Sequence, residues 1–271
     1  MKITDSRIPS EILPQLSLAV EVVRQHLSSK LLAIHLYGSA LDGGLKRYSD
    51  IDVLVTINEG LDEALRKALI TDLLKISAPP GESRILRALE VTVVVLGDVV
   101  PWRYPAVRHL QFGEWQRKEI IDGIFDLEVS DPDLAILLTK AGQKSIALFG
   151  PPAATLFDPI PERDFYAVLS DTLNLWKSPP DWENDERNVV LTLARIWYSA
   201  ATGMIASKDF ASAWALERLP GKHASVLSEA QRAYLGQVED RLALKGNEVA
   251  ETIAVLKNEI AGVLRSKPGS D

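Results

Sequence analysis

The chain of 271 residues contains no cysteine. That removes a disulfide framework, a thiolate metal site and a Cys nucleophile from the candidate chemistries, and it is compatible with a cytoplasmic protein. No run of about 18 apolar residues occurs, so no membrane-spanning helix is expected. The opening MKITDSRIPSEILPQL has no apolar core behind a basic start, which argues against export. Basic clusters are missing as well: 30 Lys and Arg stand against 37 Asp and Glu, a formal net charge of −7. Proteins that track phosphate backbones carry basic stripes, so nucleic acid is a poor partner and a cationic small molecule a better one. Neither an internal repeat nor a low-complexity segment occurs. What is present, 46% hydrophobic residues, suffices for a full core in one large or two ordinary domains.

The most informative stretch is residues 31–57, LLAIHLYGSALDGGLKRYSDIDVLVTI. It reads as a buried strand, a Gly38-Ser39 turn, a polar segment and a second strand bearing Asp50 and Asp52. Alternate residues of a strand leave the same side about 6.5–7 Å apart, so both carboxylates share a face while Ile51, Val53, Val55 and Ile57 take the other. Two adjacent like charges are costly unless a cation or proton lies between them, and Mg²⁺ suits such oxygen ligands. The Gly-Ser turn offers N–H groups and a hydroxyl to a phosphate. Each feature alone is commonplace, since D-x-D is often a solvated strand face and Gly-Ser an ordinary turn. Their spacing, strand then Gly-Ser then strand with Asp-x-Asp, resembles the nucleotidyltransferase signature.

Elsewhere in the first half, helical periodicity predicts helices over 10–28, with Pro14 in the first turn, over 61–76, and over 134–148. ALEVTVVVL, residues 88–96, predicts a central strand with Leu89, Val91 and Val93 on one face and Glu90, Thr92 and Val94 on the other. Glu90 reads either as a solvated edge acid or as the third member of a two-metal cup with Asp50 and Asp52. Residues 100–116 read as loop followed by helix, with Trp115 equally suited to the core or to stacking on a cation or flat ring.

A Pro-rich crossing at 150–161 marks a domain boundary, giving domains 1–158 and 159–271. Beyond it, helices are expected at 162–176, 185–202, 208–219, 228–244 and 247–265, a five-helix bundle. Ser228-x-x-Gln231 resembles a capping box, and the final SKPGSD is expected to fray. Asn188, Thr192, Arg195 and Ser199 form a polar stripe that reads as solvated surface or, through Arg195, as a triphosphate contact. The loop WKSPPDWENDE interleaves acids with Trp176 and Trp182, a pattern that fits a solvated loop or a polycationic sugar.

Taken with HLYGSALDGGL and SDIDVLVT, the segments RALEVTVVV, PWRYPA, LQFGEWQR, LAILLTKA, SPPDW, DERNVVLTLARIWYSA and AWALERLP resemble the aminoglycoside (3'')(9)-adenylyltransferases. The resemblance implies an α+β protein: an N-terminal polymerase-beta-like nucleotidyltransferase domain with a mixed sheet flanked by helices, then a helical bundle contributing to both substrate sites. It implies AMP transfer from ATP to streptomycin and spectinomycin, with Mg²⁺, two ions, held by Asp50, Asp52 and Glu90, and with Glu90 as general base. Gly38, Ser39, Ser49, Arg195 and Lys208 would bind ATP, and Trp115, Trp176, Asp181, Asp185 and Asn188 the drug. Members limited to spectinomycin are expected to lack the Trp176 and Asp181 pair, so a dual substrate range is implied here. Some relatives have His at the position of Asn188, which weakens the case for that contact. A monomer is expected. A nucleotidyltransferase with a protein or RNA acceptor, and a catalytically silent nucleotide-binding module, are the competing readings.

Overall fold

The computed structural model describes Ile3 and residues 5–267. The expected frayed tail falls, from position 268 on, outside the described residues. The chain divides into two compact units, Met1–Ile160 and Pro161–Asp271. No helix among the described residues is long and apolar enough to cross a membrane.

Unit 1 begins with α1 (Leu13–Leu27), whose Leu16, Ala19, Val20, Val23 and Leu27 repeat at helical spacing and are buried. Strands β1 (Leu31–Tyr37) and β2 (Ile51–Ile57) follow, then α2 (Glu63–Lys75). The latter starts where the Asp62 carboxylate accepts from Leu65 N at 2.8 Å, a side-chain cap for an otherwise orphaned donor. Next come β3 (Leu89–Val95), α3 (Leu96–Val99), β4 (Ala106–Arg108), β5 (Leu110–Phe112), α4 (Arg117–Ile121), β6 (Val129–Asp131), α5 (Leu134–Gln143), β7 (Ile146–Phe149) and α6 (Ala153–Leu156).

Five strands form a mixed sheet in the order β5-β3-β2-β1-β7, and β4 pairs with β6 in a second small sheet. Only β2 and β3 run parallel within the larger sheet, because α2 carries the chain across between them. Both faces of the central strands are covered. Ile51, Val53, Val55 and Ile57 of β2 and Leu89, Val91, Val93 and Val95 of β3 pack on one side with α1 and α2. On the other side Leu54, Val94 and Tyr37 meet Leu134, Leu138 and Ala141 of α5. Each fully buried Leu or Ile contributes about 1.5–3 kcal/mol, which fixes the strands that carry the acids.

Three expectations for secondary structure are corrected. Residues 100–116 do end in a helical turn, Glu114–Gln116, that runs into α4, but the stretch before it is not all loop: it contains β4 and β5, strands of three residues each, too short for alternation to be visible. The helix expected over 134–148 stops at Gln143, and Ile146 belongs to β7, an edge strand paired with β1. Its apolar residues serve helix and strand in turn, so they mimic one continuous period.

Unit 2 holds α7 (Glu162–Thr172), α8 (Glu186–Thr202), α9 (Lys208–Leu216), α10 (Gly221–Tyr234) and α11 (Gly246–Leu264). Helix α8 is buried nearly all round and packs against α7, α9, α10 and α11. The third correction lies here: α10 starts after Pro220, and Ser228 is inside it, so the expected box caps nothing. Gly236, at φ +73, ends it, and the chain then turns rather than continuing to 244.

Candidate active site

Strand β1 ends at Tyr37, and the next residue takes a conformation that L side chains avoid. Gly38 has φ +79, and a Cβ there would lie 1.7 Å from Asp52 Oδ2. Glycine is thus required twice, for the backbone angle and for the close approach. The short 3-10 turn Gly38–Ala40 carries Ser39, half-buried, and the Gly38 carbonyl accepts from Leu41 N and Asp42 N at 3.1 and 3.0 Å.

Strand register assembles the acids. Tyr37 stands opposite Asp52, and Asp52 stands beside Glu90 on the parallel neighbour. Neighbouring strands lie about 4.8 Å apart, so Tyr37, Asp52 and Glu90 form a row across one face. Asp50, half-buried, precedes β2 by one residue. Burial chiefly, then the charges of Asp52 and Asp50, push the Glu90 carboxyl up to about 8, while Lys140 and a Gln111 hydrogen bond draw it back. Burial, Glu90 and Asp52 also hold the Tyr37 phenol well above its ordinary value, so it stays neutral.

The turn that delivers Asp50 is clamped from below. Arg87 Nη1 donates to the carbonyls of Lys46 at 2.8 Å and Ser49 at 3.2 Å, and Ser49 Oγ accepts from Lys46 N at 2.9 Å. Gln15, buried on α1, donates to the carbonyls of Ile76 and Arg87 at 2.8 and 2.7 Å and accepts from Arg87 N at 2.9 Å. Both ends of the 76–87 connection are thereby tied down just before β3.

Among the described residues no three His, Asp or Glu side chains converge closely enough to form a ready ion cage. The donor set nevertheless fits a hard divalent cation: the charges of Asp52 and Asp50 act on the Glu90 carboxyl, an excess of negative charge that Mg²⁺ would neutralise, and every ligand would be oxygen.

Trp115 is 57% exposed, which excludes the core reading. Its indole lies against Gly113, where a Cβ would come within 2.2 Å of Cζ3. The adjoining Glu114 accepts from the Ser77 hydroxyl and from Arg117 Nε at 2.5 Å, anchoring this turn near the start of β3.

Unit 2 holds the remaining expected residues. Asp181 Oδ2 accepts from Lys177 N, Ser178 N and the Ser178 hydroxyl at 2.8, 2.7 and 3.1 Å. The backbone bonds above all keep its carboxyl below the usual range, so one oxygen shapes the loop while the residue stays at the surface. On the same loop the Trp176 carbonyl accepts from Lys257 Nζ at 2.6 Å. Asp185, the residue before α8, accepts from Asn188 Nδ2 at 2.7 Å, and Asn188 Oδ1 accepts from Lys208 Nζ at 3.4 Å. Asp185, Asn188 and Lys208 are thus brought together, and Lys208 Nζ lies 5.8 Å from the Tyr234 ring centroid. Arg195 follows Asn188 by two turns of α8 and is half-buried.

Sequence reasoning overlooked Tyr37, Gln15, Arg87, Gln111 and Lys140. Only Gln15 left a trace, as a polar residue beside the apolar face of α1; the others become noticeable once strand register, the seating of α5 and the turn before Asp50 are known.

Residues 16–122 match the nucleotidyltransferase domain family, and residues 155–259 match the aminoglycoside adenylyltransferase C-terminal domain family. An aminoglycoside (3'') (9) adenylyltransferase of Escherichia coli is 60% identical over 255 residues, covering 94% of this chain and 97% of the relative. A spectinomycin 9-adenylyltransferase of Staphylococcus aureus is 38% identical over 256 residues, covering 94% and 96% respectively. Among solved structures, the spectinomycin adenyltransferase AAD(9) from Enterococcus faecialis with ATP and spectinomycin is similar, with a TM-score of 0.84 and 30% identity over 91% of this chain and 98% of that one.

Proposed function

The chain belongs to the aminoglycoside (3'') (9) adenylyltransferase family, and we propose that it transfers AMP from ATP to the 3'' hydroxyl of streptomycin and the 9 hydroxyl of spectinomycin. The observation that carries this reading is the in-register row of Asp52 and Glu90 packed against Gly38. It supports nucleotidyl transfer because one corner joins a phosphate-binding turn, metal-ligand oxygens and an acid with a raised pKa.

In the reaction the drug hydroxyl oxygen bonds to the α-phosphorus, the bond to the bridging α,β-oxygen breaks, and pyrophosphate departs. The hydroxyl proton passes to Glu90. Asp50, Asp52 and Glu90 would hold two Mg²⁺ ions, which supply charge neutralisation to the attacking and leaving oxygens when bound. Gly38 and Ser39 offer backbone and hydroxyl donors to the phosphates, and Ser49 adds a second hydroxyl. Arg195 and Lys208 add positive charge for the triphosphate. Trp115, Trp176, Asp181, Asp185 and Asn188 contact the drug, the acids meeting its cationic groups and the indoles its faces. The presence of both Trp176 and Asp181 favours streptomycin as well as spectinomycin.

Glu90→Gln tests the base. It is expected to bind ATP as the unaltered protein does and to lose about 10²–10⁴-fold in turnover, measured by calorimetry and by pyrophosphate release. Undiminished drug modification by the variant would remove Glu90 from that role.

A further inference from the structure

Two lysines stand one turn apart at the end of α5, Lys140 within its last turn and Lys144 just beyond it, and their surroundings treat them differently. Lys144 Nζ pairs with Asp42 at 3.0 Å, fastening the end of α5 to the turn that follows Gly38. Lys140 makes no ion pair among the described residues; its Nζ lies 5.3 Å from the Tyr37 ring centroid. That ring belongs to the row that continues through Asp52 to Glu90, and Gly38 is its neighbour in the chain. The helix is seated on this face by Leu134, Leu138 and Ala141 against Tyr37, Leu54 and Val94. Lys140 therefore projects from a rigid element at the margin of an apolar contact, over the acid face.

We infer that Lys140 is a further nucleotide-binding residue, its ammonium contacting the phosphates of ATP as they occupy the corner formed by Gly38, Asp52 and Glu90. The inference rests on the proposed adenylyl transfer and extends it to a residue given no substrate contact in that reading. A triphosphate brought to a face lined by carboxylates needs fixed positive charge in addition to its metal ions. An ammonium is the point charge that suits phosphate oxygens. Lys144 is already engaged with Asp42, which leaves Lys140 as the lysine of this helix end able to serve. Its hold over the Tyr37 ring limits the freedom the side chain would lose on meeting a ligand. Lys140 takes no part in bond making.

The test compares the unaltered protein with Lys140→Met and Lys140→Arg, titrated by calorimetry with α,β-methylene ATP and Mg²⁺ and, separately, with adenosine. The expected result is a roughly 10- to 100-fold weaker affinity of Lys140→Met for the analogue, unchanged affinity for adenosine, and partial recovery in Lys140→Arg. Equal affinity of Lys140→Met and the unaltered protein for the analogue would overturn the inference while leaving the adenylyl-transfer reading intact. So would a parallel loss of adenosine and analogue, which marks a structural role. Failure of the unaltered protein to bind the analogue would overturn both.

Discussion

A methyl group at position 38 would meet the Asp52 carboxylate oxygen at 1.7 Å and its Cγ at 2.5 Å, so the whole carboxylate would have to move out of its place in the row. Gly38→Ala must also hold a left-handed angle that costs an L residue about 1–2 kcal/mol. Both the fold and the placement of Asp52 suffer. The expected outcome is a lower melting temperature together with a turnover reduced by about 10²-fold, the scale of a misplaced reacting group. Glu90 makes a second prediction at this scale. Its folded pKa, about 8, lies above the ordinary 4.5, so between those values the folded state binds more protons than the unfolded one. Its contribution to stability is therefore full below about pH 4.5 and is lost as pH rises through about 8. Thermal melts of metal-free protein should show that loss relative to Glu90→Gln. Added Mg²⁺, which favours the ionised carboxylate, should stabilise more at pH 8.5 than at pH 5.5. At this scale the sequence made the charged residues visible, because Asp-x-Asp and a lone Glu in an apolar strand violate the surrounding pattern. Tyr37, Gln111 and Lys140 violate nothing, and only strand pairing and helix seating bring them to the acids.

The elements of unit 1 were legible wherever one period ran long enough. Helices α1 and α2 and strands β2 and β3 follow from apolar spacing, and the Pro-rich crossing precedes a run of helices. Strands β4, β5 and β7, of three or four residues, carry too few positions to establish alternation, and tertiary pairing decides them. The start of α10 was obscured because Ser228 imitates a cap while Pro220 supplies the real beginning. The clamp on the 76–87 connection belongs to this scale. Gln15→Met would leave two carbonyls and one N–H without the partners that Gln15 gives them, and an unsatisfied buried group costs about 1–3 kcal/mol. The variant should melt several degrees lower. It should also lose ATP affinity, since Arg87 in turn holds the turn before Asp50. Unchanged ATP affinity in a destabilised variant would separate the clamp from the site.

For the whole molecule, the sequence alone supported a metal-bound phosphate and a cationic acceptor, and the acceptor's identity came from likeness to a family rather than from geometry. The loop bearing Trp176 and Asp181 is where substrate range should be decided. Trp176→Ala is expected to lower streptomycin modification at least about tenfold, the scale of a lost cation–π contact in a desolvated site, while sparing spectinomycin. Parallel losses on both drugs would deny the loop a selective role. The most direct measurement incubates the unaltered protein with ATP and Mg²⁺ and offers streptomycin, spectinomycin, protein or RNA separately, following pyrophosphate release and the mass of each acceptor. The account predicts pyrophosphate with either drug, each gaining one AMP, and none with protein or RNA. Silence with both drugs, or AMP on protein or RNA instead, would contradict it.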